Sequence, residues 1–404
     1  MKPGKNMNKI HNFLHICFSV LFASILLVSC AEKSDDTVKV GILHSETGSM
    51  AVSEIAVKRA ELLAIEELNE NGGVLGHIIV PVEEDGESNP RVFANKALKL
   101  IETDNVATIF GCWTSDSRKA VRTVVEDHYN LLWYPLQYEG MEASPNIMYI
   151  GAAPNQQIVP AIDFCFEKFG KRMYLIGSDY IFPHTANRII KAQLKFLNGN
   201  VAGEQYVAMH ETEFHEIIQD IIRKKPDVVI NTLNGDSNIH FFKQMHEAGV
   251  DPEKIPVMNF SVGESDIENI GVENIAGNYM AWNYFENIDT SKNSRLIAKY
   301  KKKYGAAERI GDPVEAGYLA VHLWAAACKK AGSFDTEAVR IAAKGMYYIA
   351  PEGNVMIEGS NQHLNKKVRI GIVNDDGRIK EIWATAETVR PDPFLSTYAW
   401  ARGL

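Results

Sequence analysis

Val38-Lys39-Val40-Gly41-Ile42-Leu43, a helix-patterned run to Asn71 and then Gly72-Gly73 decide the fold. The first six residues read as a buried strand. From about Ser53 to Asn71, Ile55, Leu62, Leu63, Ile65 and Leu68 recur on one helical face, and the paired glycines stop the helix. A short apolar strand feeding an amphipathic helix is the repeating unit of a parallel α/β sheet. The unit recurs: strands are predicted at Ile78–Glu83, Val106–Phe110 and Leu131–Tyr134, with helices over Pro90–Glu102 and Ser115–His128. A second cycle begins near Pro154. Its helices are predicted over Gln157–Phe169, Pro183–Leu197, Glu213–Lys224 and Ser237–Ala248, and its strands at Arg172–Ile176, Val201–Val207, Val228–Asn231 and Val257–Asn259.

Two such cycles predict an α/β fold of two doubly wound parallel-sheet lobes. The later helices, Ser291–Tyr304, Pro313–Ala331 and Asp335–Lys344, have no cycle of their own. Neither has the hairpin of Val368–Val373 and Ile379–Ala384 around Asn374-Asp375-Asp376-Gly377. They are expected to complete the earlier lobes through a multi-crossover hinge. The expected division is 38–155 plus 284–350 for lobe one, 156–283 plus 351–385 for lobe two, and 386–404 as a C-terminal tail. A cleft is expected where the carboxyl ends of strands from both sheets meet.

Residues 1–30 stand outside this pattern. Lys2, Lys5 and Lys9 precede an apolar run from Phe13 to Val28, the layout of a secretory signal. Leu27-Val28-Ser29-Cys30 resembles a lipobox, with Cys30 as the acylated residue, and residues 31–37 suit a solvated tether. Loss of the three lysines would deepen the net charge from −9 to −12. That balance argues against nucleic-acid binding and against a polybasic membrane patch. Cys17 leaves with the signal. Cys112, Cys165 and Cys328 are too scattered for a disulfide framework, so at most one pair could bridge.

Motifs for bond-breaking are weak. There is no His-Glu-x-x-His, clustered CxxC, P-loop or GxGxxG. Gly235-Asp236-Ser237 reads as a turn feeding a helix cap, and His210 and His215 are wrongly spaced for two ligands on one helix face. No catalytic residue, metal site or cofactor is expected. By contrast, Leu131-Leu132-Trp133-Tyr134-Pro135-Leu136-Gln137-Tyr138-Glu139-Gly140, following Gly111-Cys112-Trp113-Thr114-Ser115 by one helix, is an aromatic and amide cluster. It suits a small, flat, neutral polar molecule.

Several further strings share an order with one family: Ser144-Pro145-Asn146, Gly151-Ala152-Ala153-Pro154-Asn155-Gln156-Gln157, Gly177-Ser178-Asp179-Tyr180-Ile181-Phe182-Pro183, Asn231-Thr232-Leu233-Asn234-Gly235-Asp236-Ser237-Asn238, Ala281-Trp282-Asn283-Tyr284-Phe285, Pro351-Glu352-Gly353 and Arg390-Pro391-Asp392-Pro393. Over Val38 to Trp400 the chain resembles the urea-binding proteins of ABC-type urea transporters, within the Leu/Ile/Val-type (type I) periplasmic binding superfamily. It is also similar to the short-chain amide sensor of amidase operons. Gln137-Tyr138 stands where that sensor has Pro-Tyr, adding a side-chain amide. Two departures are Ser45-Glu46-Thr47-Gly48, where urea binders usually carry Leu in place of Glu46, and Gly263, where relatives place a larger residue.

Urea offers four N–H donors, one strong acceptor and a flat face, so its site needs several acceptors, one or two donors and aromatic walls. Gln137 and Asn234 each supply both polarities. Ser115 sits at a helix start, and Trp113, Tyr134 and Tyr180 could form walls. Glu264 could accept N–H bonds, although a buried carboxylate needs compensation. Trp133 and Tyr134 alternate on a strand, and the resemblance favours Tyr134 facing the cleft. Trp282 and Tyr284 are either packing or contact residues near the hinge. The resemblance implies a lipid-anchored solute-binding protein of the cell envelope that delivers urea to an ABC permease and its ATPases. Short aliphatic amides or branched-chain amino acids are the alternative ligands. An exported amidase and a chemoreceptor partner are the readings from other classes.

Overall fold

The computed structural model describes residues 36–404. The expected signal segment, Cys30 and the tether up to residue 35 lie outside the described residues. Thr37, expected to end the tether, already opens the first strand.

The first lobe is built on a five-stranded sheet of order β2-β1-β3-β4-β5. Its strands are β1 Thr37–His44, β2 Ile78–Asp85, β3 Ile109–Gly111, β4 Leu132–Tyr134 and β5 Ile147–Tyr149. β1 pairs with β3, β3 with β4 and β4 with β5, all parallel. Alternate residues bury on opposite faces, because strand side chains have period two. Val40, Ile42, Phe110, Trp133 and Met148 enter one core; Leu43, Ile109, Leu132, Tyr134 and Tyr149 enter the other.

Helices cover both faces. The helices α1 Ala51–Glu70, α2 Pro90–Glu102 and α3 Ser115–Asp127 follow successive strands. Asn89 caps α2 by accepting Arg91 N–H, with Pro90 at the first helical position, where the missing N–H costs nothing.

The second lobe holds a seven-stranded sheet of order β15-β14-β10-β9-β8-β6-β7. Its strands are β6 Arg172–Ser178, β7 Asn200–Val207, β8 Val228–Thr232, β9 Val257–Asn259, β10 Tyr279–Trp282, β14 Arg369–Val373 and β15 Ile379–Ala384. The pairings from β7 through β10 are parallel, and β14 and β15 add as the expected antiparallel hairpin. Here too the sheet separates two cores. The helices α4 Ile158–Lys168 and α5 Ile181–Phe196 lie on one face. On the other are α6 His215–Lys224, α7 Ser237–Glu247 and the short α8 Glu264–Ile270 and α9 Val272–Ile275.

The chain then returns to lobe one as α10 Ser291–Tyr304, α11 Asp312–Ala331 and α12 Thr336–Ala343. A three-stranded antiparallel sheet of β11 Tyr347–Ala350, β12 Gly353–Ile357 and β13 Leu364–Asn365 follows. Sequence patterning does not anticipate this sheet or β5 and β10. β5 and β13 are too short to show a period, and Tyr347 and Ile349 of β11 point apolar side chains at solvent. The stretch 351–385, expected whole in lobe two, is divided. Val355, Ile357 and Leu364 bury in the lobe-one core, while Ile370, Val373 and Ile379 bury in lobe two. The C-terminal tail is likewise docked, with Leu395 and Ala401 in the core beside α4 and α5.

Three crossings join the lobes, after β5, after β10 and after β13. Asn283 ties them together: its side-chain amide donates to Gln156 O at 3.0 Å and to Lys367 O at 2.7 Å. Gln156 in turn donates to Leu364 O and Val389 O, each at 2.8 Å. Nearby, Trp282 Nε1–H donates to Val262 O and Tyr284 OH to Asn293 Oδ1, so these two aromatics pack the hinge. Cys112, Cys165 and Cys328 are buried free thiols.

Candidate functional site

β3 and β4 end side by side, and Trp113 and Tyr134 emerge at their carboxyl ends. Tyr134 OH donates to Trp113 O at 2.6 Å, fixing the two together. Thr114, not Ser115, caps α3: its Oγ1 accepts Ser117 N–H at 3.1 Å. Ser115 is the first helical residue, where backbone N–H groups have no intrahelical acceptor.

Ser115 does not present a free hydroxyl. Its Oγ donates to Glu139 at 2.5 Å and accepts from Arg118 Nη1 at 3.0 Å. Arg118, fully buried, also reaches Glu139 Oε1 at 3.1 Å and Glu142 Oε1 at 2.9 Å. Its guanidinium lies over the rings of Tyr134 and Tyr138, 5.2 and 4.6 Å from their centroids. Burial alone would raise the Glu142 carboxyl, but Arg118 and Lys119 bring it down to about 2. The helix start that serves the cleft is therefore held from behind by a buried ion cluster. Sequence patterning gives Glu139 no such role and does not single out Arg118. The available signal was an arginine three residues after Ser115 on a predicted helix, with two acids, Glu139 and Glu142, in the mostly aromatic segment that follows.

Opposite stands lobe two. Trp113 Nε1–H donates to Asn234 Oδ1 across the seam at 3.3 Å. Asn234 is itself oriented by Ser178 Oγ, which accepts its backbone N–H at 3.1 Å. Gln137 crosses the seam as well. Its Nε2 donates to Phe260 O at 2.9 Å, a carbonyl shared with Gln157 Nε2 at 3.1 Å. The carbonyl acceptor fixes which end of the Gln137 amide is nitrogen. Its Oε1 is buried with no hydrogen-bond partner. Tyr180, half-buried on lobe two, sits in the electrostatic reach of Tyr134, Glu139 and Asp116. The structure thus brings six of the seven predicted residues, Trp113, Ser115, Tyr134, Gln137, Tyr180 and Asn234, around one interlobe region.

Glu264 is the exception. It begins α8, accepts Glu286 N–H at 2.8 Å and lines a different cavity with Glu286, Lys301 and Arg309. Burial pushes its carboxyl up to about 8. Its capacity to accept N–H bonds suggested the cleft from sequence; as the first residue of α8 it lines the other cavity instead. The two departures from the family pattern are also placed. Glu46 turns outward to Lys58 at 2.7 Å, and Asp85 organises its loop through Glu46 N–H and Thr47. A Cβ on Gly263 would make only ordinary contacts, 3.9 Å from Gly311 Cα, so the backbone here does not require glycine.

The lobes are shut. Ser53 Oγ at the start of α1 donates to Asp266 Oδ1 of α8 at 3.0 Å. Gly235, at φ +64°, lies directly against Ser49, and a Cβ there would come 2.6 Å from the Ser49 carbonyl. Gly235→Ala is expected to hold the lobes apart, on top of about 1–2 kcal/mol for a left-handed backbone. Ligand affinity should fall at least about tenfold. In solution scattering, the variant should fail to compact at ligand concentrations that compact the wild type. Equal compaction would show that this contact does not limit closure.

The periplasmic binding protein domain family matches residues 38–399. Leu/Ile/Val-binding protein homolog 7 of Brucella melitensis is 24% identical over 391 residues, covering 91% of this chain and 96% of that protein. An amino acid ABC transporter substrate-binding protein from Pseudomonas fluorescens Pf-5 superposes with TM-score 0.77 at 21% identity, covering 88% of this chain and 97% of that one. A solute-binding protein from Rhodopseudomonas palustris BisB5, in complex with 3,4-dihydroxybenzoic acid, gives 0.79 at 22%, covering 88% and 98%. The chain belongs to the periplasmic binding protein family. Its curated relative carries a Leu/Ile/Val-binding name, and both structural neighbours are substrate-binding proteins of ABC transporters.

Proposed function

We propose that this protein captures urea between its lobes and delivers it to an ABC permease with its ATPase subunits, as a lipoprotein anchored through Cys30. One observation carries the ligand reading. Gln137 bridges the lobes through its N–H while leaving its carbonyl oxygen buried and unpaired. An unmatched buried acceptor costs about 1–3 kcal/mol, which an N–H donor from a ligand would recover. Trp113 and Tyr134 offer flat walls beside it, Asn234 offers an amide, and the first N–H groups of α3 suit a carbonyl oxygen. Closure is then a population shift towards the arrangement that contacts the guest from both sides.

A branched-chain amino acid is the second reading. It is favoured by the names of the relatives and by Asp116, whose Oδ1 is buried without a partner and could meet an ammonium group. Against it, Arg118 is already spent on Glu139 and Glu142, so a carboxylate would enter beside a committed cation. An exported amidase remains the rival from another class; ammonia release from urea or acetamide by the pure protein would replace the transport reading.

Calorimetry with urea, acetamide and leucine separates the ligands. Urea is expected to bind saturably below millimolar concentration. Gln137→Leu should weaken it about 10- to 100-fold, the equivalent of one or two buried hydrogen bonds. Heat with leucine and none with urea would transfer the assignment to the amino acid.

A further inference from the structure

A cavity of about 290 Å³ lies on the flank of the seam between the lobes, away from the Gln137 cluster. Lobe one supplies Ile297 and Lys301 from α10, together with Arg309; lobe two supplies Glu264 and the Gly377–Ile379 turn of the β14–β15 hairpin; Glu286 comes from the crossing segment. This volume is at the lower end for small-molecule sites, enough for a compact organic molecule.

The lining has a definite polarity. Lys301 and Arg309 share the single carboxylate of Glu286, with Arg309 Nη1 at 3.3 Å from Glu286 Oε2. Arg378 adds a third cation, and among the described residues its ion partner is the exposed Asp376 at 3.7 Å. Glu264 is 3% exposed, and its Oε2 has no hydrogen-bond partner. Ile297 and Ile379 provide apolar surface from opposite lobes.

We propose that this cavity is a second ligand site, taking a small organic carboxylate. Its anionic head meets Arg309, Lys301 and Arg378 and accepts a hydrogen bond from Glu264, and its apolar body lies between Ile297 and Ile379. Burial keeps Glu264 protonated at neutral pH, since its carboxyl titrates near 8, so it offers an O–H to an anion rather than repelling it. Lys301 and Arg309 share the one Glu286 carboxylate and Arg378 adds a third cation, so an added anion improves the balance. Because the walls come from both lobes, an occupant stabilises the same shut arrangement as a guest at Gln137. The two sites are therefore coupled, and the coupling is reciprocal.

The test is calorimetry on the full chain with isobutyrate, benzoate and inorganic phosphate, without urea and then with saturating urea. Saturable binding of a carboxylate is expected, weakened about tenfold by Arg309→Gln and severalfold by Arg378→Gln. Arg378 is largely exposed, so its replacement cannot be confused with unfolding. The urea titration of both variants should match the wild type. Phosphate binding as tightly as the carboxylates would reduce the cavity to a general anion patch and overturn the organic-acid assignment. No saturable carboxylate binding up to about 10 mM, or binding indifferent to both arginines, would overturn the site itself. The urea-free arm decides this whether or not urea is the ligand at Gln137.

Discussion

Replacing Arg118 by leucine is expected to cost about 3–5 kcal/mol of stability, the usual penalty for removing one partner from a buried ion cluster. Arg118 is fully buried and sits between Glu139 and Glu142, which are 2% and 4% exposed. Glu142 would keep Lys119 and Arg122, at 3.0 and 2.9 Å, but Glu139 would lose its guanidinium and keep the Ser115 hydroxyl. The damage should reach the cleft. Ser115 would lose its donor from Arg118, and the Tyr134 ring would lose the plane it packs on. Guanidinium-chloride denaturation is the measurement, because urea is the proposed ligand. Arg118→Lys should fall between wild type and Arg118→Leu, since an ammonium retains the charge but not the fork that reaches three acceptors at once. A leucine variant within about 1 kcal/mol of wild type would show that the cluster contributes less than its burial implies.

Comparable in size is the effect of removing His44. This residue ends β1 fully buried, with Nδ1 3.1 Å from Glu54 and Nε2 3.1 Å from Glu61. Burial by itself would lower its pKa, but the two carboxylates, Glu61 foremost, raise it to about 9. His44 is therefore charged at neutral pH, and His44→Leu would strand two buried acids at a cost of about 3–5 kcal/mol. The sign of the pH dependence follows. A histidine raised from 6.5 to about 9 contributes stability that is complete below pH 6.5 and lost as pH rises through 9. That contribution is on the order of 3 kcal/mol. Burial also raises Glu61, which acts in the same direction, because a carboxyl that prefers its proton in the folded state loses stability as pH climbs. Wild-type stability should decline between pH 7 and 10, and in His44→Leu the decline should begin at lower pH, because the stranded Glu61 carboxyl, no longer pulled down by His44, holds its proton more strongly in the folded state. An equal decline in the variant would place the pH-sensitive group elsewhere. Glu54 also accepts Ser45 N–H at 2.9 Å, so the cluster steadies the loop at the mouth of the cleft.

Much of the architecture was legible because its signals are local. β1, α1 and Gly72-Gly73 declare themselves through periodicity and punctuation, and α2 and α10 fall where their patterns place them. β11 to β13 were not legible. Their residues are half-exposed, and their partner is the back of lobe one, far away in the chain. The seam residues divide in the same way. Trp113, Tyr134 and Gln137 stand out because aromatics and an amide cluster at strand ends. Ser53, Asp266 and Gly235 look ordinary until the lobes meet.

The order of strands and helices, the doubling of the α/β cycle and the aromatic–amide character of the cleft were determined by the sequence alone, since each depends on the spacing of neighbours. Which polar groups remain available to a guest was decided only by the tertiary structure. The Ser115 hydroxyl is spent on Glu139; Gln137, legible as a cleft amide, is tied to Phe260 through its N–H and keeps only its oxygen unpaired; Glu264 looked like part of the cleft and belongs to another cavity. The physical reason is that hydrogen-bond saturation depends on every atom within about 3 Å, and in the folded chain those atoms come from segments remote in sequence.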